Sequence, residues 1–249
     1  ILINNHDLNV ALNKVSKLGF VPTMGSLHKG HISLIKKSKK ECKKTIVSIF
    51  VNPKQFNNKK DYQNYPRNFK KDLIILKKLK VDFLYKPKKE DIYNSNKKSK
   101  IKLNKSDKVL CAKYRKGHFE GVIEVMKRLT DIVKPNKIFM GEKDYQQIYL
   151  VRKYIKKKYK SRIVACTTVR NKNYLALSSR NTLLNKIQLK KAAKLTRTII
   201  SLKKNINKVD DIKSFLLKKK KEIHNFFNIK IEYLDLRSDK NLRITKNIK

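Results

Sequence analysis

The decapeptide PTMGSLHKGH at residues 22–31 contains two histidines three positions apart, His28 and His31, on either side of Gly30. It joins a short apolar run to a helical pattern. In an open parallel sheet, ligands gather at the carboxyl ends of the strands. A helix that begins at Gly30 and His31 there turns unpaired N–H groups and the positive end of its dipole toward an anion. Two imidazoles beside that terminus can donate ring N–H groups to phosphoryl oxygens as negative charge develops on them. Zinc binding is the competing reading of a histidine pair, but no third ligand follows at metal spacing. His6 and His224 lack such a setting and read as ordinary surface or core residues.

The elements that must position this pair alternate strand with helix. Apolar runs at residues 18–21, 45–51, 81–85, 137–140 and 162–169 read as strands, the first ended by Pro22. Helical periodicity separates them at 31–43, 68–80, 121–133 and 144–157. In the first helix Ile32, Leu34, Ile35 and Ser38 share a face opposite lysines. Repeated βαβ units with right-handed crossovers predict an α/β fold, a Rossmann-like, doubly wound parallel sheet. Residues 90–108 are polar and weakly periodic, and are expected to leave the sheet. Beyond Arg180 two lysine-rich helical patterns, 187–203 and 210–227, precede a strand-like run at 230–236. The expected division is therefore a Rossmann-like domain over 1–176 and a smaller α+β domain over 177–249.

Composition narrows the partners. The chain of 249 residues carries 64 Lys+Arg against 19 Asp+Glu, a net charge of +45, yet 40% of its residues are hydrophobic, enough at this length to bury a core. Its pI near 10.2 would suit a nucleic-acid binder. However, 54 of the basic residues are lysines and only 10 are arginines, whereas base and phosphate readout favours the guanidinium fork. Lysines strewn beside Asn and Ile read instead as solvated helix surfaces in an AT-rich coding sequence, so no specific nucleic-acid partner is expected. No apolar run approaches the roughly 20 residues of a membrane span. The first residues lack the pattern of a secretory signal and an initiator Met, which predicts a cytoplasmic chain trimmed at its start. Cys42, Cys111 and Cys166 are odd in number and form no C-x-x-C pair, so reduced thiols are expected rather than disulfides or a zinc site.

The H-x-G-H element resembles the nucleotidyltransferase superfamily related to class I aminoacyl-tRNA synthetases, whose members attack the α-phosphate of a nucleotide. Five further segments narrow the resemblance: VSIFVNPKQF at 47–56, Tyr65-Pro66-Arg67, Gly117-His118-Phe119, GEKDYQQ at 141–147 and LSSRN at 177–181. Together they resemble the pantothenate synthetase, or pantoate-beta-alanine ligase, family, in register from about Leu18 to Arg180 and more weakly beyond. The resemblance implies that ATP and (R)-pantoate form pantoyl adenylate and diphosphate, and that beta-alanine then displaces AMP to give pantothenate. It also implies that the domain over 1–176 binds ATP and pantoate and that the domain over 177–249 is shortened, with Mg2+ carried with ATP, no separate metal cage, and a homodimer.

Residue by residue, the resemblance makes Met24, Gly25, Ser26, Leu27, His28, Lys29, Gly30 and His31 the ATP cradle, with His31 as its assigned donor and His28 beside it. Gly141, Glu142, Lys143 and Asp144 would line ATP, Lys143 neutralising phosphate and Asp144 capping the next helix or assisting metal and ribose contacts. Leu177, Ser178, Ser179 and Arg180 resemble the superfamily's phosphate-gripping element, in which two hydroxyls and a guanidinium suit a leaving diphosphate. His28, His31, Lys143 and Arg180 are the expected catalytic groups.

Gln55 and Gln147 would hold pantoate, and Asn52 would help bind pantoate and beta-alanine through an amide that both donates and accepts. FVNPKQF alone also reads as an ordinary turn at Pro53, and Ser-Ser-Arg alone as a polar turn. Arg115, His118 and Tyr65 are expected to face the same cleft. Lys116 stands where the family usually has Pro and Glu120 where it often has Arg, which predicts an altered, slightly looser site near His118. Two other readings are a nucleotidyltransferase acting on another acceptor and a basic nucleic-acid-binding protein. The FVNPKQF and GEKDYQQ segments weigh against the first of these.

Overall fold

The computed structural model describes residues 1–93, 101–155 and 158–245. Five strands, β1 (Leu18–Thr23), β2 (Lys44–Ile49), β3 (Phe83–Tyr85), β4 (Lys137–Gly141) and β5 (Arg162–Cys166), form one all-parallel sheet in the order β3-β2-β1-β4-β5. Strand order reverses between β1 and β4, which opens a crevice at their carboxyl ends. The helices are α1 (Asn5–Leu12), α2 (Lys29–Glu41), α3 (Lys59–Gln63), α4 (Phe69–Lys78), α5 (Lys89–Tyr93), α6 (Cys111–Tyr114), α7 (His118–Val133), α8 (Tyr145–Ile155), α9 (Lys186–Asn205) and α10 (Ile212–Phe227).

Alternation along the strands supplies both faces. Phe20, Ile46, Ile138 and Met140 join the apolar cluster containing Leu8 of α1, Val122, Val125 and Leu129 of α7, and Ile148 and Val151 of α8. Val21, Val47 and Phe139 point the other way, to Leu34 and Ile35 of α2 and Leu76 of α4. Helices thus cover both faces, as a buried parallel sheet requires.

Several expectations need correction. Pro22 does not end β1, which runs on to Thr23. Leu18 accepts a backbone bond from Asn136 beside β4, and Thr23 accepts one from Phe50 after β2, so the N–H that Pro22 lacks would face β4. β4 pairs only with Gly19 and Phe20, so no ladder bond is lost there. The expected fifth strand stops at Cys166, leaving residues 167–169 to turn out of the sheet. The polar stretch 90–108 lies partly outside the described residues, and its described residues leave the sheet as expected, beginning with α5, in which Ile92 is buried. The helix read over 144–157 is α8, and residues 156–157 lie outside the described residues.

Residues 230–236 form no strand. Their nearest ordered feature is an isolated antiparallel bridge between Arg237 and Ile244. The segment docks through side chains instead: Tyr233 stacks on Tyr114 of α6 with ring centroids 6.0 Å apart, and the Glu232 carbonyl accepts from the Tyr114 hydroxyl. A β-prone run without a ladder partner has no means of becoming a strand. The described residues after 176 therefore offer two long helices, α9 and α10, with a small cluster of Ile206, Ile212 and Leu216 between them. Among the described residues no helix is long and apolar enough to cross a membrane.

Candidate active site

A cleft of about 220 Å3 opens at the carboxyl ends of the strands where their order reverses. Met24, His28, Gly30, His31, Asn52, Gln55, Tyr65, Gly141, Lys143, Asp144, Gln147, Leu177, Ser178, Ser179 and Arg180 all line it. Of the expected site residues, Gly25, Ser26, Leu27, Lys29, Glu142, Arg115 and His118 do not line it.

The histidines owe their placement to the start of α2, which begins two residues earlier than the periodicity suggests, with His28 as its N-cap. His28 Nδ1 accepts from the Gly30 N–H at 3.1 Å, and His31 Nδ1 accepts from the His28 N–H at 3.3 Å. This is a capping box built from two imidazoles, a task usually given to Ser or Thr with Glu or Gln. An accepting Nδ1 carries no proton, so each ring is a neutral imidazole with its hydrogen on Nε2. Burial, then His28, then Lys143 push the His31 pKa down to about 3, and burial followed by Lys143 lowers that of His28. The ring centroids lie 4.1 Å apart. Two neutral donors therefore share one cleft with the Lys143 ammonium.

The turn before α2 is held from two sides. Gly25 has φ +78° and Ser26 has φ +51°, the left-handed region that favours glycine. Asp72 of α4, 1% exposed, accepts from the Ser26 and Leu27 N–H groups at 2.8 and 2.7 Å. Ser179 donates its hydroxyl to the Ser26 carbonyl at 3.0 Å. The Gly25 N–H donates to the Thr23 hydroxyl at 3.1 Å, so the N–H groups of residues 25–27 all have partners within the protein and the turn supports the histidines from below. Lys29 is exposed on the first turn of α2.

The amide pair Asn52 and Gln55 is likewise tied into the protein. Asn52 is 1% exposed, and its side chain is saturated. Oδ1 accepts from the Tyr93 hydroxyl and the Lys54 N–H, while Nδ2 donates to Gln55 Oε1 and the Gly121 carbonyl. These four bonds use its two donors and two acceptor positions within the protein and fix the Gln55 amide. Gln55 faces the cleft with Nε2 on the Met24 sulfur at 3.0 Å. Gln147 of α8 also lines the cleft, and its amide has no partner among the described residues. Gly121 makes the arrangement possible, since a Cβ there would lie 2.2 Å from the Lys54 carbonyl oxygen.

His118 is the first residue of α7 and is buried. Its Nε2 accepts from Arg115, which can only donate, so Nδ1 carries the proton and donates to the Gln55 carbonyl at 2.6 Å. Burial outweighs that bond and moves its pKa down to about 4. Arg115 thus orients His118, and His118 in turn holds the backbone of the cleft residue Gln55.

At the rim, Lys143 pairs with Asp144 at 3.2 Å, so Asp144 is engaged with its neighbour rather than capping α8. Ser178 caps the short turn that carries Ser179 and Arg180. The Arg180 guanidinium donates Nε and NH2 to Asp61 at 3.1 and 3.0 Å and lies 5.0 Å over the Tyr65 ring. His6 and His224 are exposed, as read.

Sequence reasoning missed Asp72, Asp61, and Thr167, Thr168 and Val169, which form one wall of the cleft. Asp72 had a signal, because it stands four residues before Leu76 on the inward face of α4. Asp61 lies 119 residues from the arginine it holds and had none.

Comparisons with known proteins point to one family. The family model described as Pantoate-beta-alanine ligase matches residues 3–249. A pantothenate synthetase of Francisella tularensis subsp. novicida (strain U112) is 46% identical over 193 residues, covering 76% of this chain and 74% of that protein. The crystal structure of pantothenate synthetase from Thermus thermophilus superposes with a TM-score of 0.90 at 30% identity, covering 100% of this chain and 90% of that one. That of a pantoate-beta-alanine ligase from Francisella tularensis, complexed with beta-gamma ATP and beta-alanine, gives 0.80 at 39% identity, covering 92% and 85%.

Proposed function

Because the chain belongs to the pantoate-beta-alanine ligase family and is an ATP-dependent enzyme that forms pantothenate, we propose that both of its half-reactions take place in the cleft beside α2. In the first, a carboxylate oxygen of (R)-pantoate attacks the α-phosphorus of ATP and the bond to diphosphate breaks. In the second, the beta-alanine amine attacks the acyl carbon of the adenylate, AMP leaves with the bonding pair, and the amine proton passes to solvent. Neither step asks the protein for a covalent intermediate. Its task is to hold reactants in line and offset charge.

Neutral His28 and His31 donate Nε2–H to phosphoryl oxygens, where charge grows in the transition state, with Lys143 beside them. Gln55 and Gln147 bind the hydroxyl and carboxylate of pantoate. Ser178 and Arg180 receive the departing diphosphate, and Ser179 secures the turn below the histidines. The observation that carries this reading is the reciprocal histidine cap, which leaves two Nε2–H donors in the same cleft as two glutamine amides.

Mg2+ fits this donor set: no cluster of three metal-ligating side chains occurs among the described residues, yet Asp144 offers a carboxylate at the rim, and a phosphate-borne Mg2+ needs few protein ligands. Asp144 would hold it, and the ion would offset polyphosphate charge. We also retain a separate C-terminal unit over 177–249, supported by the α9–α10 cluster, a homodimer, supported by exposed apolar side chains such as Val10 and Ile187, and a cytoplasmic setting, supported by three unpaired cysteines. Intact resistance to limited proteolysis at residues 170–186, a monomer mass in sedimentation and a periplasmic or secreted fraction would refute these in turn.

Diphosphate release from ATP is expected to require pantoate, and AMP with the amide product then to require beta-alanine. Release without pantoate, or none in its presence, would overturn the assignment of the chemistry to this cleft.

A further inference from the structure

Only 19 of the 249 residues are acidic, yet one of these carboxylates grips an arginine of the cleft through two hydrogen bonds. We propose that Asp61 is a positioning residue for Arg180, presenting its guanidinium to the diphosphate end of ATP. The inference rests on the reading of the cleft given above.

Three features build the holder. Asp61 takes the Nε–H and one NH2 hydrogen of Arg180, which is the side edge of the fork, and leaves NH1 and the second NH2 hydrogen for an anion. The guanidinium also lies against Tyr65, which meets Phe56 edge to face at 5.7 Å, as Phe56 meets Tyr62 at 5.3 Å. Arg67, from the Tyr-Pro-Arg segment, donates to the carbonyls of Tyr62, Gln63 and Tyr65 and so ties the end of α3, which bears Asp61, to the aromatic shelf. Acid and shelf are thereby fixed relative to each other, and the arginine is held on two sides.

A half-exposed ion pair contributes little to folding, so the value of this one lies in orientation. A flexible side chain held in advance loses less freedom when an anion arrives. Arg115 is close enough for the Arg180 charge to lower its pKa after burial has done so, and the Asp61 carboxylate also offsets that repulsion.

The test is a double-mutant cycle on adenylate formation, read as the KM for ATP, the inhibition constant of diphosphate and the KM for pantoate. Asp61→Asn is expected to raise the first two about five-fold and leave the third unchanged, with an unaltered thermal melt. Arg180→Ala is expected to raise them further, and the double variant to be no worse than Arg180→Ala alone. Additive losses in the double variant, or equal losses for ATP and pantoate in Asp61→Asn, would overturn the inference. An Arg180→Ala enzyme with normal ATP affinity would instead overturn the reading of the cleft on which it rests.

Discussion

Replacing His31 separates its two jobs, because one nitrogen caps the helix and the other faces the cleft. His31→Ala removes both. Loss of one preorganised donor to a developing phosphoryl charge costs about 100- to 1000-fold in rate, or roughly 3–4 kcal/mol. Loss of the bond that His31 Nδ1 accepts from the His28 N–H, at 3.3 Å, costs about 1 kcal/mol of stability and lowers Tm by roughly 2–4 °C in a chain of this size. His31→Gln and His31→Glu divide these effects, since both side chains suit the third position of a capping box. Both are expected to restore Tm. Gln retains a donor and recovers part of the rate, whereas ionised Glu can only accept and brings negative charge toward phosphate. Single-turnover diphosphate release with ATP and pantoate, in the absence of beta-alanine, measures the step directly. Unimpaired release by His31→Ala, or a His31→Glu enzyme as fast as His31→Gln, would refute the donor role.

The pH dependence follows from neutral rings. His31, with its pKa pushed down to about 3, and His118, at about 4, stay uncharged through mild acid, so neither produces an inflection in the adenylation rate near pH 6.5. An inflection there that disappears in His31→Gln would contradict this. For stability, the unfolded chain binds these protons near pH 6.5 while the folded chain resists them until about pH 3–4, so stability falls as pH drops through that window. Urea midpoints that stay level between pH 7 and pH 4 would argue against the burial of both rings. Asp72→Ala leaves two backbone N–H groups unpaired under the histidine turn and is expected to cost about 2–4 kcal/mol in urea unfolding and to slow adenylation. A variant as stable as the parent would show that the turn does not depend on α4.

The histidine pair was legible because its types, spacing and place after a strand all point to one chemistry, and strand-helix alternation gave the sheet without its order. What stayed hidden depended on close approach. Asn52 and His118 were found by type, but their side chains turn inward because Gly121 lets α7 touch the Lys54 backbone, a contact that no local pattern announces. Asp72 sits among lysines and reads as surface until its register with Leu76 is noticed. The start of α2 was misplaced because histidine is an unusual cap, and His28 was read as ligand-facing only. Residues 230–236 have the composition of a strand, and composition says nothing about whether a ladder partner waits beside it.

The proposed chemistry requires a bond between the pantoate carboxylate and the α-phosphorus within this cleft. Pantoate labelled with oxygen-18 in both carboxylate oxygens, turned over with ATP and beta-alanine, tests it by mass spectrometry of the products. AMP carrying one heavy oxygen and pantothenate retaining the other in its amide carbonyl are expected. Unlabelled AMP, with the heavy oxygen found in inorganic phosphate or diphosphate, would contradict it.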